Sequence, residues 1–480
     1  MAGTYSRSTD VLVIGGGPGG YMAGIRLGQL GVKALVVERA ELGGECLNRG
    51  CIPSKALIHA SLLYRALSTE GPEIGVTATD PKFDLTRTMR WKDEVVGKER
   101  TGVAGLLKSA GTSVLTGTAR FTGPKTADVT APDGGHERVD FAQAIVAVGA
   151  THSTIPGFET DGDRVVNAWE ILSLKSLPRS MLVLGGGVSG CELGEFLARV
   201  GVEVSIVEMM PQILPGLDPD LARELQGALE KLGIRVRVGT RAVALRREPS
   251  TLTMAVDGPA GREELTAERL FVTVGKRPLS RDLGLEEAGV NVDVKSGFIP
   301  VDDQMRTNQP HIFAVGDVAR PPMLAHKAYR EGIVAAEAAA GRPTRFQFQT
   351  IPSVVFTTPE LASVGFTKAD AEARGFAPRE ARFPYIALGR AHANHATSGW
   401  VKVVGDDKTG LLLGVHSAGA EVGEFIAEAA LAIEMGATLR DVAMTIHPHP
   451  TFSEAFQEAA LLWLGEPMHV ALRRSDAGGR

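Results

Sequence analysis

Residues 11 to 38, VLVIGGGPGGYMAGIRLGQLGVKALVVE, align without a gap against residues 181 to 208, MLVLGGGVSGCELGEFLARVGVEVSIVE. Each copy runs an apolar strand into GxGxxG, then a helix with apolar residues about 3.6 positions apart, a glycine stop, a second strand and a terminal glutamate. One glycine-rich turn between strand and helix is weak evidence, because it can be a turn and nothing more. Two full copies that end in Glu at the same offset restrict the chain to a duplicated βαβ plan, each copy able to hold a dinucleotide. In that plan Gly15 and Gly185 make the tight turn, and Gly17 and Gly187 let a pyrophosphate approach the backbone. Gly20 and Gly190 let helix and strand pack closely. The helix N-terminus then faces the phosphates, and Glu38 and Glu208 fall where a carboxylate accepts a ribose hydroxyl.

The flanking residues say which dinucleotides. Glu208 is followed by Met209, Met210 and Pro211, with no arginine to receive a 2′-phosphate, which favours NAD over NADP at the second site. The first copy leads into GGECLNRGCIPSK at 43 to 55, which holds Cys46 and Cys51, two of the chain's three cysteines. On an ideal helix their Cα atoms would stand about 8.6 Å apart, beyond the roughly 6.8 Å that a disulfide spans. A bridge therefore needs an irregular backbone. Gly50 supplies it, and Pro53 suits the first turn of a helix beginning around Cys51 to Pro53. Cys51 would then sit at a positive helix end that stabilises a thiolate, the condition for reversible dithiol/disulfide chemistry. Two other readings stand beside it: a pair of small buried hydrophobes, or half of a metal site. The metal site lacks two soft ligands, since Cys191 lies inside the second glycine motif. A disulfide exchanges electrons readily with a flavin, so FAD is the natural occupant of the first site. Lys55 follows on the same helix, either as a charge near that flavin or as a solvated side chain.

Elsewhere the chain is ordinary globular polypeptide, 480 residues long and 44% hydrophobic, enough for three or four domains. A net charge of −5 without a long basic run argues against nucleic acid and anionic membrane as partners. The start, MAGTYSRSTD, is short and polar, and the apolar run after it stops at Gly15, so neither a signal peptide nor a spanning helix is expected and the compartment reads as cytoplasmic. The segments AQAIVAVGATHSTIPG (142 to 157) and ERLFVTVGKRP (268 to 278) resemble each other and look like crossings between domains. In HIFAVGDVARPPMLAHKA (311 to 328) a strand ends at Gly316-Asp317, which places Asp317 to hold a polyol hydroxyl or to cap the next helix or turn. From Ile351 onward, strands at 352 to 356, 400 to 404 and 411 to 416 combine with a helix ending at Gly436 into an α+β domain without a dinucleotide motif. Its chemical cluster is HPHPTFSE at 447 to 454. There His449 and Glu454 form either a base with its orienting carboxylate or a rigid turn with satisfied histidines. The last residues, SDAGGR, are expected to fray.

In this order, GGGPGG, GGECLNRGCIPSK, GGGVSGCELGE ending at Glu208, VGKRP, IFAVGD, MLAHKA and HPHPTFSE resemble the flavin-dependent pyridine nucleotide-disulfide oxidoreductases over essentially the whole chain. The match looks closest to the members that oxidise dihydrolipoamide. The resemblance implies an α/β fold with two Rossmann-like FAD/NAD(P)-binding domains plus a C-terminal α+β dimerisation domain. The implied divisions are an FAD domain at 1–151, an NAD domain at 152–279, a central domain at 280–350 and an interface domain at 351–480. It implies tightly bound FAD, NAD, a homodimer, and lipoyl domains of 2-oxo acid dehydrogenase complexes or the glycine cleavage H protein as partners, and no metal. By position, Cys46 is similar to the interchange thiol and Cys51 to the thiol facing the flavin. Lys55 and Glu192 resemble an ion pair at the flavin's edge, and Asp317 the ribityl ligand. Ala119, Gly149 and the run Met323, Leu324, Ala325, His326 resemble FAD contacts, while Ala242 and Gly275 resemble residues lining the NAD site. His449, oriented by Glu454, resembles a base that serves the other subunit's disulfide. Leu279, where an asparagine is common, and AVG at 147 to 149 depart from the family pattern without consequence. Glu45 and Arg49 add charges to the redox loop, Arg49 favouring a thiolate and Glu45 opposing one. Rivals on the same scaffold fit less well: a glutathione reductase wants arginines after Glu208, a mercuric reductase a C-terminal cysteine pair, and a transhydrogenase lacks the first redox cysteine. Intact Cys46, Cys51 and His449 also argue against a nucleotide-holding scaffold without turnover.

Overall fold

The strand β1 (Tyr5–Ile14), helix α1 (Pro18–Gln29) and strand β2 (Ala34–Glu38) realise the first βαβ copy in the computed structural model, which describes residues 5–471. The expected fraying of SDAGGR lies outside those residues. The chain forms two compact units, one of residues 1–177 with 272–347 and the other of residues 178–271 with 348–480.

In the first unit, β1 is parallel to β2 on one side and to the long strand β6 (His136–Val146) on the other. Alternation along β1 feeds two cores: Leu12 and Ile14 face one cluster while Val11 and Val13 face the other. Both faces are covered there, so the last four residues of the strand, Val11–Ile14, read as a continuous apolar run instead of an alternating one. Outside β2 lies β3 (Ser113–Thr116). The first half of β6 carries the antiparallel hairpin of β4 (Thr118–Gly123) and β5 (Thr126–Thr130), and its second half carries the parallel strand Ile312–Ala314. That last strand comes from the distant segment that ends in Gly316-Asp317, so the carboxyl ends of β1, β6 and Ile312–Ala314 open on one edge.

Two steric facts fix the turn after β1. Gly15 has φ +102°, a conformation that side chains disfavour, and its counterpart Gly185 has φ +113°. A Cβ on Gly20 would collide with the Gly15 carbonyl oxygen, which is why the motif's last position must be bare. Helix α1 buries the small residues Gly19, Gly20, Ala23 and Gly24 together with Leu27; the helix Ala325–Ala339 packs on α1 with Gly332 against Gly19, while Gly24 faces Val36 and Leu107. The two segments expected to be domain crossings pair with each other: β7 (Ala150–His152) runs antiparallel to Lys276–Pro278.

The cysteine segment breaks at Gly50 and starts a helix at Cys51, as the glycine and Pro53 predict. Cys46 lies in a short helix α2 (Gly44–Arg49), and the irregularity is confined to Gly50, at φ −143° and ψ −106°, before α3 (Cys51–Arg65) begins. The break alone folds the pair back to a Cα separation of 4.7 Å. Beyond α3, the helix α4 (Leu85–Ser109) is capped by Asp84, whose carboxylate accepts from the Arg87 N–H at 3.0 Å.

In the second unit the other βαβ copy, Ser180–Leu184, Val188–Arg199 and Glu203–Val207, forms a parallel sheet with Arg235–Arg237. A three-stranded antiparallel sheet follows, Arg241–Arg247, Leu252–Gly258 and Gly261–Ala267. The C-terminal sheet has five antiparallel strands, two more than expected: Glu360–Gly365, and the edge strand Pro378–Pro384. The edge strand begins and ends in proline and buries only Phe383 fully, so it carries no alternation to read. Helices Val422–Glu434 and Glu454–Leu464 cover the sheet through a core that includes Val415, Ile426, Phe456 and Trp463. Among the described residues no helix is long and apolar enough to cross a membrane.

Candidate active site

Cys46 and Cys51 are joined by a disulfide at the Gly50 break. Each sulfur is taken by the other, which removes the half-metal-site reading. Ser54 steadies the start of α3 by donating its N–H to the Gly50 carbonyl and its hydroxyl to the Cys51 carbonyl, both at 3.0 Å. Cys191, by contrast, is fully buried, its thiol pushed up by burial and donated to the Gly186 carbonyl at 3.3 Å, so it is a packing residue.

The disulfide lines a cleft of about 310 Å³ in the first unit. Gly15, Gly17, Glu38, Cys46, Cys51, Ala119, Gly149, Asp317, Met323 and Ala325 all line it. Gly20 lies inside α1 and acts through packing. Lys55 is one turn past Cys51 on α3, Leu324 is the N-cap of the helix Ala325–Ala339, and His326 is exposed on that helix's first turn; none of the three lines the cleft. Leu279, the departure from the family pattern, also lines it, and its backbone N–H donates to the Gly149 carbonyl at 3.0 Å.

The duplication extends to the hydrogen bonds of the two terminal glutamates. Glu38 accepts from the N–H of Gly16 at 2.7 Å and of Ala40 at 2.8 Å. Glu208 accepts from Gly186 at 2.7 Å and from Met210 at 2.8 Å. Each carboxylate thus braces its own glycine turn and keeps acceptor capacity for a sugar hydroxyl. Gly187 begins the helix Val188–Arg199, Gly190 lies within it, and Glu192 on the same helix is buried and accepts from the Phe356 N–H at 2.9 Å. Ala242 sits on the strand Arg241–Arg247 opposite Val256. Gly275 belongs to the first unit, where its carbonyl accepts from the Ser153 N–H at 3.0 Å.

Asp317 stands in a single 3-10 turn, Gly316–Val318, and caps neither that turn nor the following helix. Burial pushes its carboxyl up, against the pull of Lys276 and Lys327. The turn is held from behind by charged groups that the sequence reading passed over. The Gly316 N–H donates to buried Glu331 at 2.7 Å, Lys327 donates to the Arg320 carbonyl at 2.6 Å, and Glu331 pairs with Lys327 at 3.2 Å. The signal available for them was the i,i+4 spacing of Lys327 and Glu331 after the aspartate turn.

In the second unit, His449 and Glu454 do meet: Nδ1 and Oε1 are 2.8 Å apart, and the other carboxylate oxygen accepts from the Thr451 N–H at 2.7 Å. The His449 side chain is 73% exposed and its Nε2 has no partner among the described residues, so the free nitrogen faces outward. His447 fits the satisfied-turn alternative instead, with Nδ1 at 2.9 Å from the Thr445 carbonyl and Nε2 at 2.9 Å from Glu428.

The Glu428 carboxylate raises the pKa of His447. A raised value in the folded state gives stability that is complete below the ordinary histidine value of about 6.5 and is lost as pH climbs through the raised one. The midpoint of thermal unfolding should therefore fall more steeply with pH, above about 6.5, in the native protein than in His447→Gln. Parallel pH profiles would remove the ion pair from the stability account.

Residues 9–332 match the family described as pyridine nucleotide-disulphide oxidoreductase, and residues 351–460 match that family's dimerisation domain. The dihydrolipoyl dehydrogenase of Thermus scotoductus is 46% identical over 471 residues, covering 97% of this chain and 100% of its own length. That of Bacillus subtilis is 41% identical, covering 98% and 99%. Among solved structures, LpdA from Mycobacterium tuberculosis superposes with a TM-score of 0.88 at 26% identity over 95% of this chain and 99% of its own. The HOCl-induced flavoprotein disulfide reductase RclA from Escherichia coli, in its Cu(II) complex, reaches 0.84 at 25% identity, covering 95% and 99%. A bonded cysteine pair in the cleft of a glycine turn is what such relatives would lead one to look for, and with near full-length agreement the chain belongs to the pyridine nucleotide-disulphide oxidoreductase family.

Proposed function

We propose that the protein oxidises dihydrolipoamide to lipoamide and reduces NAD⁺, as a dihydrolipoyl dehydrogenase serving lipoyl domains of a 2-oxo acid dehydrogenase complex or of the glycine cleavage system. The observation that carries this reading is the Cys46–Cys51 disulfide lining the same cleft as the Gly15–Gly17 turn. The names of the relatives from Thermus scotoductus and Bacillus subtilis support the choice of substrate. Glu208, with no following arginine, supports NAD over NADP.

The cleft fits FAD. The bare N-terminal turn of α1 suits a pyrophosphate, Glu38 a ribose, and Asp317 a ribityl hydroxyl, with Cys51 in the same lining. Bound there, FAD supplies a two-electron acceptor between the dithiol and NAD⁺. Lys55 and Glu192 are proposed as the charges beside its reactive edge, and Gly185, Gly187, Gly190, Ala242 and Gly275 as the NAD⁺ contacts.

The chain's own residues do the sulfur chemistry. His449 Nε2, on a second copy of the chain in a homodimer, takes a proton from one dihydrolipoamide thiol, while Glu454 holds the ring's Nδ1 side and so fixes the tautomer. The substrate thiolate attacks Cys46 Sγ, the Sγ–Sγ bond breaks, and its electron pair stays on Cys51 as a thiolate at the N-terminus of α3. The second substrate thiol then displaces Cys46 from the mixed disulfide, leaving as cyclic lipoamide and restoring a thiol on Cys46. A cytoplasmic, reducing compartment suits a chain whose cysteine pair is used this way.

The deciding measurement is NADH production from free dihydrolipoamide and NAD⁺ by FAD-loaded protein. Turnover with NAD⁺ well above that with NADP⁺ supports the reading, and turnover with glutathione but none with dihydrolipoamide would overturn it in favour of another disulfide reductase.

A further inference from the structure

Helix α2 carries a charge at each end, and both ends close on one indole. At its first turn Glu45 Oε1 accepts from Lys276 Nζ at 2.6 Å and from Trp169 Nε1 at 3.2 Å. At its last turn the Arg49 guanidinium lies over the Trp169 ring, 5.3 Å from its centre. Trp169 is held in turn. A capping box of Asn167 and Glu170 starts the helix α5 (Ala168–Ile171), and the His152 ring meets the indole edge-on at 4.9 Å. Lys276 is the strand partner of His152. Burial lowers the His152 pKa, so the imidazole is neutral near pH 7 and adds no charge.

The charged side chains gathered on Trp169 at the two ends of α2 are therefore Glu45, with its partner Lys276, and Arg49, and the first two form an ion pair. Glu45, Lys276 and both cysteines line the same cleft. The pair also acts across it in opposite senses: Lys276 pulls the Asp317 carboxyl down while Glu45 pushes it up, both as secondary effects beside burial.

Resting on the proposed disulfide chemistry, we propose that the Glu45–Lys276 ion pair balances the charge at the redox helix and so sets the reduction potential of the Cys46–Cys51 couple. Two-electron reduction by dihydrolipoamide breaks the Sγ–Sγ bond and leaves a thiol or thiolate on each cysteine, while the donor departs as its cyclic disulfide. The reduced form carries the negative charge, so a nearby cation favours it and a nearby anion opposes it. Glu45 alone would hold the couple oxidised; Lys276 alone would pull it toward the dithiol. Glu45 and Lys276 are positioning residues, since neither exchanges bonds with the substrate. Their side chains are 22% and 31% exposed, so water screens each charge and the effect of removing one is moderate.

The test uses FAD-loaded protein equilibrated in glutathione buffers of graded ratio, followed by alkylation and mass measurement of the trapped dithiol. Glu45→Gln, which keeps an acceptor for the Trp169 N–H, is expected to shift the equilibrium toward dithiol by about tenfold, equivalent to about 30 mV. Lys276→Gln is expected to shift it by a similar factor toward disulfide. Lys276→Arg and the double Glu45→Gln/Lys276→Gln variant are both expected to return near the native value. Shifts of the two single variants in the same direction, or no shift in either, overturn the proposal. Native protein that forms no reversible Cys46–Cys51 disulfide at all would instead overturn the functional reading on which it rests.

Discussion

Cys46→Ser is expected to abolish NAD⁺-dependent oxidation of dihydrolipoamide while leaving FAD bound and bleachable by NADH. The hydroxyl has nearly the shape of the thiol but cannot make or break a sulfur–sulfur bond, so the incoming thiolate has no partner to attack. The groups proposed to hold FAD lie elsewhere on the cleft wall, at Gly15, Gly17, Glu38 and Asp317. Loss of the bridge relieves a constraint on a very short loop, and chain-entropy arithmetic puts the cost in stability at about 2 kcal/mol. That is small beside a core built on β1 and β6, whose residues Val11, Leu12, Val13, Ala144, Ile145 and Val146 are wholly buried. Spectra and denaturation curves of the purified variant separate the two outcomes. A variant that folds, retains its yellow colour and still turns over lipoamide would sink the mechanism, and one that cannot hold FAD would make the cysteines structural.

His449→Gln is expected to lower kcat for dihydrolipoamide by at least about a hundredfold, or about 2.7 kcal/mol of barrier, with little change in KM. Glutamine preserves an amide in the space of the ring but cannot carry the substrate's proton near neutral pH. The 73% exposure of His449, against the full engagement of His447, makes it the histidine with a nitrogen to offer. Bleaching of the flavin by NADH bypasses this residue and should be unaltered. Glu454→Gln should cost less than His449→Gln, because an amide oxygen can still accept from the Nδ1 side and so keep part of the orientation. Steady-state kinetics beside anaerobic titration distinguishes these results, and undiminished kcat in His449→Gln removes it from the catalytic role.

Much of the architecture could be read before any coordinates because its determinants are local. The glycine spacing of each turn follows from one backbone conformation at Gly15 and Gly185 and one close approach at Gly20, all within a few residues. The pairing of Cys46 with Cys51 is similarly short-range: the single residue Gly50 supplies the break and α3 starts at Cys51, as the glycine and Pro53 indicate. What escaped was long-range or unpatterned. Nothing near Glu45 announces Lys276, 231 positions away, or Trp169, so Glu45 read as an anion opposing a thiolate, and its ion pair with Lys276 escaped notice. The Glu331 and Lys327 support beneath Asp317 looked like any helix-surface pair, yet both side chains are buried. The strand Pro378–Pro384 was invisible because an edge strand with one buried side chain has no period to detect.

The first unit is assembled from two stretches of chain separated by the second glycine motif, and the cleft proposed to hold FAD draws Asp317, Met323 and Ala325 from the later stretch. During translation the N-terminal βαβ copy leaves the ribosome long before those walls exist. With FAD in that cleft as proposed, its loading waits until synthesis has passed residue 325, after the intervening βαβ copy has been made. An N-terminal fragment ending at residue 177 should, for the same reason, retain no flavin of its own.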